Sequence, residues 1–394
     1  MSAISISAEK HWASLTASAL AAVVVGFAST ILVIMQAAEA VGATAAQKAS
    51  WAAMLCYAMG GLTLLLSWRH KMPVIIAWST PGAALLATSA SGISYPVALG
   101  TFACAGMLTV ATGLVRPVAR AIEHIPPAIA AAMLAGVLLS YVLKVPVAMV
   151  SLPWLVVPLV LLFFVLRLWK PIYAVPMVVA AGFGIAAVSG NMGQGALTFV
   201  LPHLTFDVPQ FQWQAAISLG VPLFLVTMAS QNLPGFAVMR ASGYQPPVTS
   251  ALVTTGVASA LMSPMAGPQV NMAAITASIC TGPDAHPDPA QRWKVSIPYV
   301  VIYVLVGLAA PAFVKLLGGL PHDLVLSIAG LALFGPLVAA TAGMMKDAKD
   351  IDAALVTFVV TASGVSLFGI GAAFWGLVSG LMLWGIKRLR RGGP

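Results

Sequence analysis

Two adjacent carboxamides, Gln231 and Asn232, fall late in a long apolar run and directly ahead of Leu233-Pro234-Gly235, a sequence that should break or kink a helix. Their amides could hydrogen-bond a bound anion or its water shell; equally, they could tie neighbouring helices together, worth about 1 kcal/mol in a membrane. Two other stretches carry small polar residues around a proline: Ser79-Thr80-Pro81-Gly82 and Gly267-Pro268-Gln269-Val270-Asn271. Proline at the first turn of a helix loses no needed donor and pushes the residue before it to extended backbone. Each stretch is therefore predicted to form a strand-like lead-in followed by a half-helix, whose free N–H groups and positive dipole end favour an anion. Gln269 and Asn271 are expected near the start of the second half-helix, where they could bind or simply cap. Ser79 and Thr80 play the comparable part in the first, with Gly82 small enough to admit a ligand close to the backbone. Glu39 is the carboxylate in or at the end of an early apolar run. Partly desolvated, it would have its pKa raised toward a range useful for carrying a proton; placed at an interface, as the following Gly42, Thr44 and Gln47 allow, it would not.

The elements that must hold these residues follow from composition. The 394 residues are 60% hydrophobic and only 7% charged, with a mean hydropathy of +0.98, far from the balance of a soluble domain. The apolar runs are about 20 residues long and do not alternate, so they read as membrane-spanning helices. About fourteen spans are predicted, near 14–38, 49–67, 73–91, 95–115, 125–143, 151–167, 171–189, 213–236, 247–264, 268–282, 295–317, 322–345, 351–367 and 369–387. The first is too long for the apolar core of a cleaved signal peptide. With the N-terminus inside, all Lys and Arg except Lys48, Lys144 and Lys315 fall on the cytoplasmic side, as do both termini. The segment Gly190 to Gln212, free of Lys and Arg, divides the chain into halves at 1–200 and 201–394.

Seven spans per half is an odd number, so the second half enters from the opposite side, as in transporters built from inverted repeats. Pro81 and Pro268 occupy the third span of each half, and Gln36-Ala37-Ala38-Glu39 loosely parallels Ser230-Gln231-Asn232 in the opening spans. Interrupted segments at equivalent positions of two repeats point to a substrate site.

Other chemistries find little support. The net charge of +9 is a topology signal and not a nucleic-acid footprint, because the one basic cluster is the tail from Lys387 to Arg391. Cys56, Cys104 and Cys280 lack CxxC spacing and read as packing residues. The six histidines lie at span edges or in loops. Asp284, His286 and Asp288 are interleaved with prolines and read as a turn rather than a metal site, so no cofactor or metal is expected. No HExxH or GxSxG motif suggests an enzyme.

The segments Ala77-Trp78-Ser79-Thr80-Pro81-Gly82, Pro222 to Asn232, Ala273-Ala274-Ile275-Thr276-Ala277, Ala285-His286-Pro287-Asp288, Val360 to Gly364 and Ala373-Phe374-Trp375-Gly376-Leu377 closely resemble the benzoate/proton symporter family. That family is in turn similar to nucleobase and sulfate carriers with seven-plus-seven inverted repeats. The resemblance implies a core domain (14–115 plus 213–317) and a gate domain (125–189 plus 322–387), with substrate held between the third spans beside Gln231 and Asn232. In the related nucleobase carriers an acidic residue stands at that place, so the proton-coupling residue does not carry over, and Glu39 is the candidate. The implied function is symport of benzoate or a similar small aromatic carboxylate with protons, across a bacterial inner membrane, by a protein embedded in lipid that the family allows to be a homodimer. An uncoupled facilitator or channel for small organic anions would use the same half-helix dipoles.

Overall fold

The computed structural model describes residues 2–90, 92–115, 125–188, 200–265, 267–368 and 370–391. The described residues are mostly helical. Its first part comprises α1 (Ser2–Ala40), α2 (Ala45–His70), strand β1 (Ile76–Trp78), α3 (Thr80–Ser89), α4 (Tyr95–Leu114), α5 (Pro127–Val142), α6 (Lys144–Ser151), α7 (Pro153–Trp169) and α8 (Pro171–Val188). The rest comprises a long helix α9 over Trp213–Ala241, α10 (Val248–Met262), strand β2 (Val270–Met272), α11 (Ile275–Thr281), α12 (Ser296–Leu308), α13 (Ala310–Gly318), α14 (His322–Met344), α15 (Ile351–Ala362) and α16 (Ala372–Arg391).

Among the described residues six helices are long and apolar enough to cross a membrane, and a bent pair, Pro289–Leu308 with Ala310–Gly318 at 51°, makes a seventh. The protein is therefore a polytopic membrane protein. Four further apolar helices of 10–17 residues are shorter than the roughly 20 residues that a perpendicular crossing needs. Of the segment predicted as a linker, residues 190–199 lie outside those described, as do Arg116 and Arg120. From 200 to 212 it runs without helix and is pinned to both parts: Asp207 N donates to Pro264 O in the turn after α10, and Gln210 N to Pro96 O in the first turn of α4.

Strands β1 and β2 pair antiparallel with Ile76 opposite Met272, Ala77 opposite Asn271 and Trp78 opposite Val270. The ladder is extended by Ser79 N to Gln269 O and Ala273 N to Ile75 O, each 2.9 Å. In a membrane interior, extended backbone is tolerated only where other protein groups satisfy its N–H and C=O, and here each interrupted segment satisfies the other. The flanks are tied in as well. Tyr299 of α12 donates to Ile76 O, Thr63 of α2 accepts from Ile76 N, and Asn232 Oδ1 of α9 accepts from Met272 N.

The two half-helices start differently. In the first, Ser79 caps α3, its hydroxyl accepting from Gly82 N at 3.1 Å, with Pro81 in the first turn. In the second, Gln269 and Asn271 do not lie at a helix start. Pro268 holds the preceding backbone extended, pairing with β1 keeps 270–272 extended, and α11 begins only at Ile275.

Helix α9 corrects another expectation: Leu233-Pro234-Gly235 does not break it. Two wide π turns, Ala216–Gly220 and Met228–Asn232, each precede a proline, Pro222 and Pro234. A proline cannot donate to the preceding turn and its ring presses on the carbonyl four residues back; one wide turn relieves both conflicts without ending the helix. Gly235 then lets α9 meet β2, since a Cβ there would lie 2.7 Å from that of Met272.

Two helix groups surround this centre. Helix α4 packs on α10 and α2 on α12; separately, α5 packs on α14 and α15, and α15 on α16. Small residues allow the approach. A Cβ on Gly256 would lie 2.7 Å from the Gly106 carbonyl, and one on Gly376 2.1 Å from the Thr361 hydroxyl.

Gly256→Ala should therefore lower stability by about 1–3 kcal/mol, read as a fall in the thermal unfolding midpoint in detergent, while Gly61→Ala, which meets nothing within 4 Å, should leave it unchanged. Asn232→Ala leaves the buried Met272 N–H without its acceptor and should cost about 1–3 kcal/mol by the same assay.

Candidate functional site

A cavity of about 460 Å³ lies between the two helix groups. One wall comes from the interrupted segments and their neighbours: Thr30 of α1, Thr80 and Pro81 of α3, Met228, Ser230, Gln231 and Pro234 of α9, and Ala274 and Ile275 at the start of α11. The facing wall is apolar, formed by Pro127, Ala130, Met133 and Leu134 of α5, Ala332, Leu333, Pro336 and Ala339 of α14, and Leu377 of α16. A smaller void of about 70 Å³ continues from the first wall toward Gly26, Trp78 and Tyr303; the two spaces share Thr30, Thr80, Gln231, Ala274 and Ile275. The larger space suits an apolar ring, and its size is that of small-molecule pockets. The smaller one is the junction where both half-helices begin.

The lining hydroxyls differ in what they have left to offer. Thr30 donates to Gly26 O at 2.6 Å and accepts from the Trp78 indole at 2.7 Å. Ser230 donates to Val226 O at 2.5 Å. The Thr80 hydroxyl and the Gln231 amide have no hydrogen-bond partner among the described residues, and both face the shared part of the two spaces. Within the wide turn at Met228–Asn232, Gln231 lines the cavity while its neighbour Asn232 is fully buried away from it.

Of the residues singled out in the sequence, Thr80, Pro81 and Gln231 come together at the cavity. The others stand behind it. Ser79 is fully buried, its hydroxyl 2.7 Å from that of Thr227. Gly82 is a packing position, where a Cβ would lie 2.6 Å from Leu223 Cδ1. Asn232 is buried against β2, and its amide nitrogen lies 3.3 Å from Met228 Sδ. Gln269 reaches Thr109 at 3.4 Å, and Asn271 donates to Met272 O at 2.9 Å; the side-chain oxygens of both are buried without a partner. These five residues build the strand crossing that supports the site.

Glu39 sits at the end of α1 with its side chain 57% exposed and 3.3 Å from Lys48. Its carboxylate thus lies at a helix end beside a cation and away from the cavity. The Asp284–Asp288 segment is a turn: Asp288 N donates to His286 Nδ1, and the Arg292 guanidinium donates to the carbonyls of His286, Thr281 and Pro287. Sequence reasoning did not single out Thr30, Ser230, Tyr303 or the facing wall. Alanines and prolines of α5 and α14 look like ordinary helix-packing residues, and only Pro336 inside α14 offered a local signal.

Comparison with known proteins agrees with this architecture. Residues 8–386 match the family model described as benzoate membrane transport protein. The chain is 40% identical over 361 residues to inner membrane protein YdcO of Escherichia coli K12, covering 91% of this chain and 92% of that one. It is 31% identical over 377 residues to the benzoate membrane transport protein of Acinetobacter baylyi, covering 95% and 96%. In fold it is similar to the transmembrane domain of the cyanobacterial bicarbonate transporter BicA (TM-score 0.59, 14% identity, 94% of this chain and 97% of that one) and to SLC26A9 (TM-score 0.62, 13% identity, 94% and 65%). A match over nearly the whole length, joined to a polytopic helical fold with a ligand-sized cavity at its interrupted spans, places the chain in the benzoate membrane transport protein family.

Proposed function

We propose that this protein is a proton-coupled secondary transporter that imports benzoate or a similar aromatic carboxylate by alternating access. The observation that carries the reading is the cavity: an apolar chamber closed on one side by α5, α14 and α16, and ending on the other at the unpartnered Gln231 amide and Thr80 hydroxyl where both half-helices begin. An aromatic ring fits the chamber and a carboxyl group fits the polar end. The architecture behind it is a seven-plus-seven inverted repeat of fourteen spans, split at 1–200 and 201–394. Core segments 14–115 and 213–317 carry the site, and gate segments 125–189 and 322–387 form the facing wall. The strand-and-half-helix segments at 76–89 and 270–281, paired antiparallel, support the repeat. The chain lies in a bacterial inner membrane with both termini cytoplasmic, and a homodimer is the assembly the family allows.

Energetics favour coupling for uptake against the membrane potential. An anion entering a negative cytoplasm works against about 2.3 kcal/mol per charge per 100 mV, and a co-transported proton removes that cost. The second reading, an uncoupled facilitator, is favoured by one observation: the only acid predicted for coupling, Glu39, lies outside the cavity and is ion-paired.

Uptake of radiolabelled benzoate into proteoliposomes, with protein-free vesicles as the baseline, separates the two. Accumulation above equilibrium under an inward proton gradient is expected, and equilibration that ignores the gradient would establish the facilitator. Gln231→Ala should lower uptake about tenfold, the cost of one hydrogen bond to a charged or strongly polar group. Glu39→Gln should leave gradient-driven accumulation intact.

A further inference from the structure

We infer that the cavity is built for an aromatic acid that carries a hydrogen-bond donor, a hydroxyl or amino group, on the ring edge away from its carboxyl group. The group that reads this donor is the backbone carbonyl of Ala332 in α14, left without its helical partner by Pro336. This rests on the reading of the cavity as an aromatic-acid site, with the carboxyl group at Gln231 and Thr80.

Helix α14 runs unbroken from His322 to Met344 with Pro336 inside it. In an α-helix each carbonyl accepts from the N–H four residues on, and proline has no N–H to give. The carbonyl that loses its donor is that of Ala332. Ala332 and Pro336 both line the cavity, so the gap where the missing hydrogen bond would run lies on the cavity face. The proline ring also presses on that carbonyl and tilts it away from the helix axis.

In a membrane interior a freed carbonyl is satisfied by neighbouring side chains, by water or by a ligand. The hydroxyls of the helices packed around α14 are committed elsewhere. Ser327 and Thr341 of α14, Ser140 of α5 and Thr357 of α15 each donate to a carbonyl of their own helix, and the buried hydroxyls of Tyr141 and Thr361 reach no acceptor among the described residues. Every described side chain that α5, α14 and α16 present to the cavity is apolar.

Pro234 leaves a similar gap on the other wall, because Leu233 N reaches back to Met228 O and the next carbonyl, that of Ala229, meets the proline. Ala229 shares its wall with two donors, the Gln231 NH₂ group and the Thr80 hydroxyl. Ala332 has no such neighbour among the described lining side chains. A ring that spans the chamber with its carboxyl group at the first wall therefore turns its opposite edge toward an acceptor. A hydrogen or methyl there leaves the carbonyl unpaired, whereas an O–H or N–H donates to it. A ring hydroxyl keeps its proton at neutral pH, with a pKa near that of tyrosine at about 10.

Isothermal titration of the purified full-length protein in detergent tests this with benzoate, meta- and para-hydroxybenzoate, and the two methylbenzoates that match them in shape. Hydroxyl and methyl are close in size, so the ratio of the two dissociation constants reads the acceptor and cancels the rest of the site. Against a wall with no acceptor the methyl acid binds about tenfold tighter or more, because the buried hydroxyl goes unpaired. The expected result is that at least one hydroxy acid binds as tightly as its methyl counterpart or tighter. In Pro336→Ala, which returns an N–H to the Ala332 carbonyl, the same ratio should move about tenfold toward the methyl acid. Tighter binding of the methyl acid in both pairs, or a hydroxyl preference that Pro336→Ala leaves unchanged, would overturn the inference, and benzoate binding would leave the aromatic-acid reading standing. If Pro336→Ala does not fold, the wild-type ratios decide alone. Failure of every one of these acids to bind the wild type would overturn the aromatic-acid site itself.

Discussion

The unmet hydrogen-bonding capacity of extended backbone inside a membrane is the constraint on which this structure turns. Lipid offers no partner to a free N–H or C=O, yet residues 76–78 and 270–272 are not helical. They are tolerated because each strand is the other's partner, and because α2, α9 and α12 supply Thr63, Asn232 and Tyr299 to the groups left over. Separating the strands would expose several such groups at once, so the two interrupted segments and the helices that tie them behave as one body.

That arrangement leads directly to the site. Half-helices α3 and α11 begin where the strands end, so the cavity meets small residues and short stretches of open backbone on one side. The π turn of α9 solves a local problem, the conflict between Pro234 and the preceding turn, and in doing so splits an adjacent pair of carboxamides between two duties. Asn232 closes the strand ladder and Gln231 faces the cavity. A regular helix would move both side chains relative to β2, and the strand would lose its acceptor.

The opposite wall belongs to a separately packed set of helices. Close contacts of Gly376 and Gly136 with Thr361, and of Gly330 with the Tyr141 carbonyl, hold α5, α14, α15 and α16 to one another, and the wall they present to the cavity is apolar.

The sequence by itself determined that the chain lives in a bilayer and is helical, because hydropathy over runs of about 20 residues is a sum over composition and does not depend on contacts. It also located the interruptions, since proline and glycine act on their own backbone: Thr80, Pro81 and Gln231 were legible for that reason. What only the tertiary structure decided was which polar residues face a ligand and which hold the scaffold. Gln231 and Asn232, or Gln269 and Thr80, carry the same local signal; their separation depends on the strand pairing of segments almost 200 residues apart, which gives Asn232 and Gln269 their buried partners. The exposed position of Glu39 and the apolar wall of α5 and α14 were beyond reach for the same reason. Solvent access and facing surfaces are properties of the packed molecule, and an alanine that lines a cavity reads like one that packs a helix.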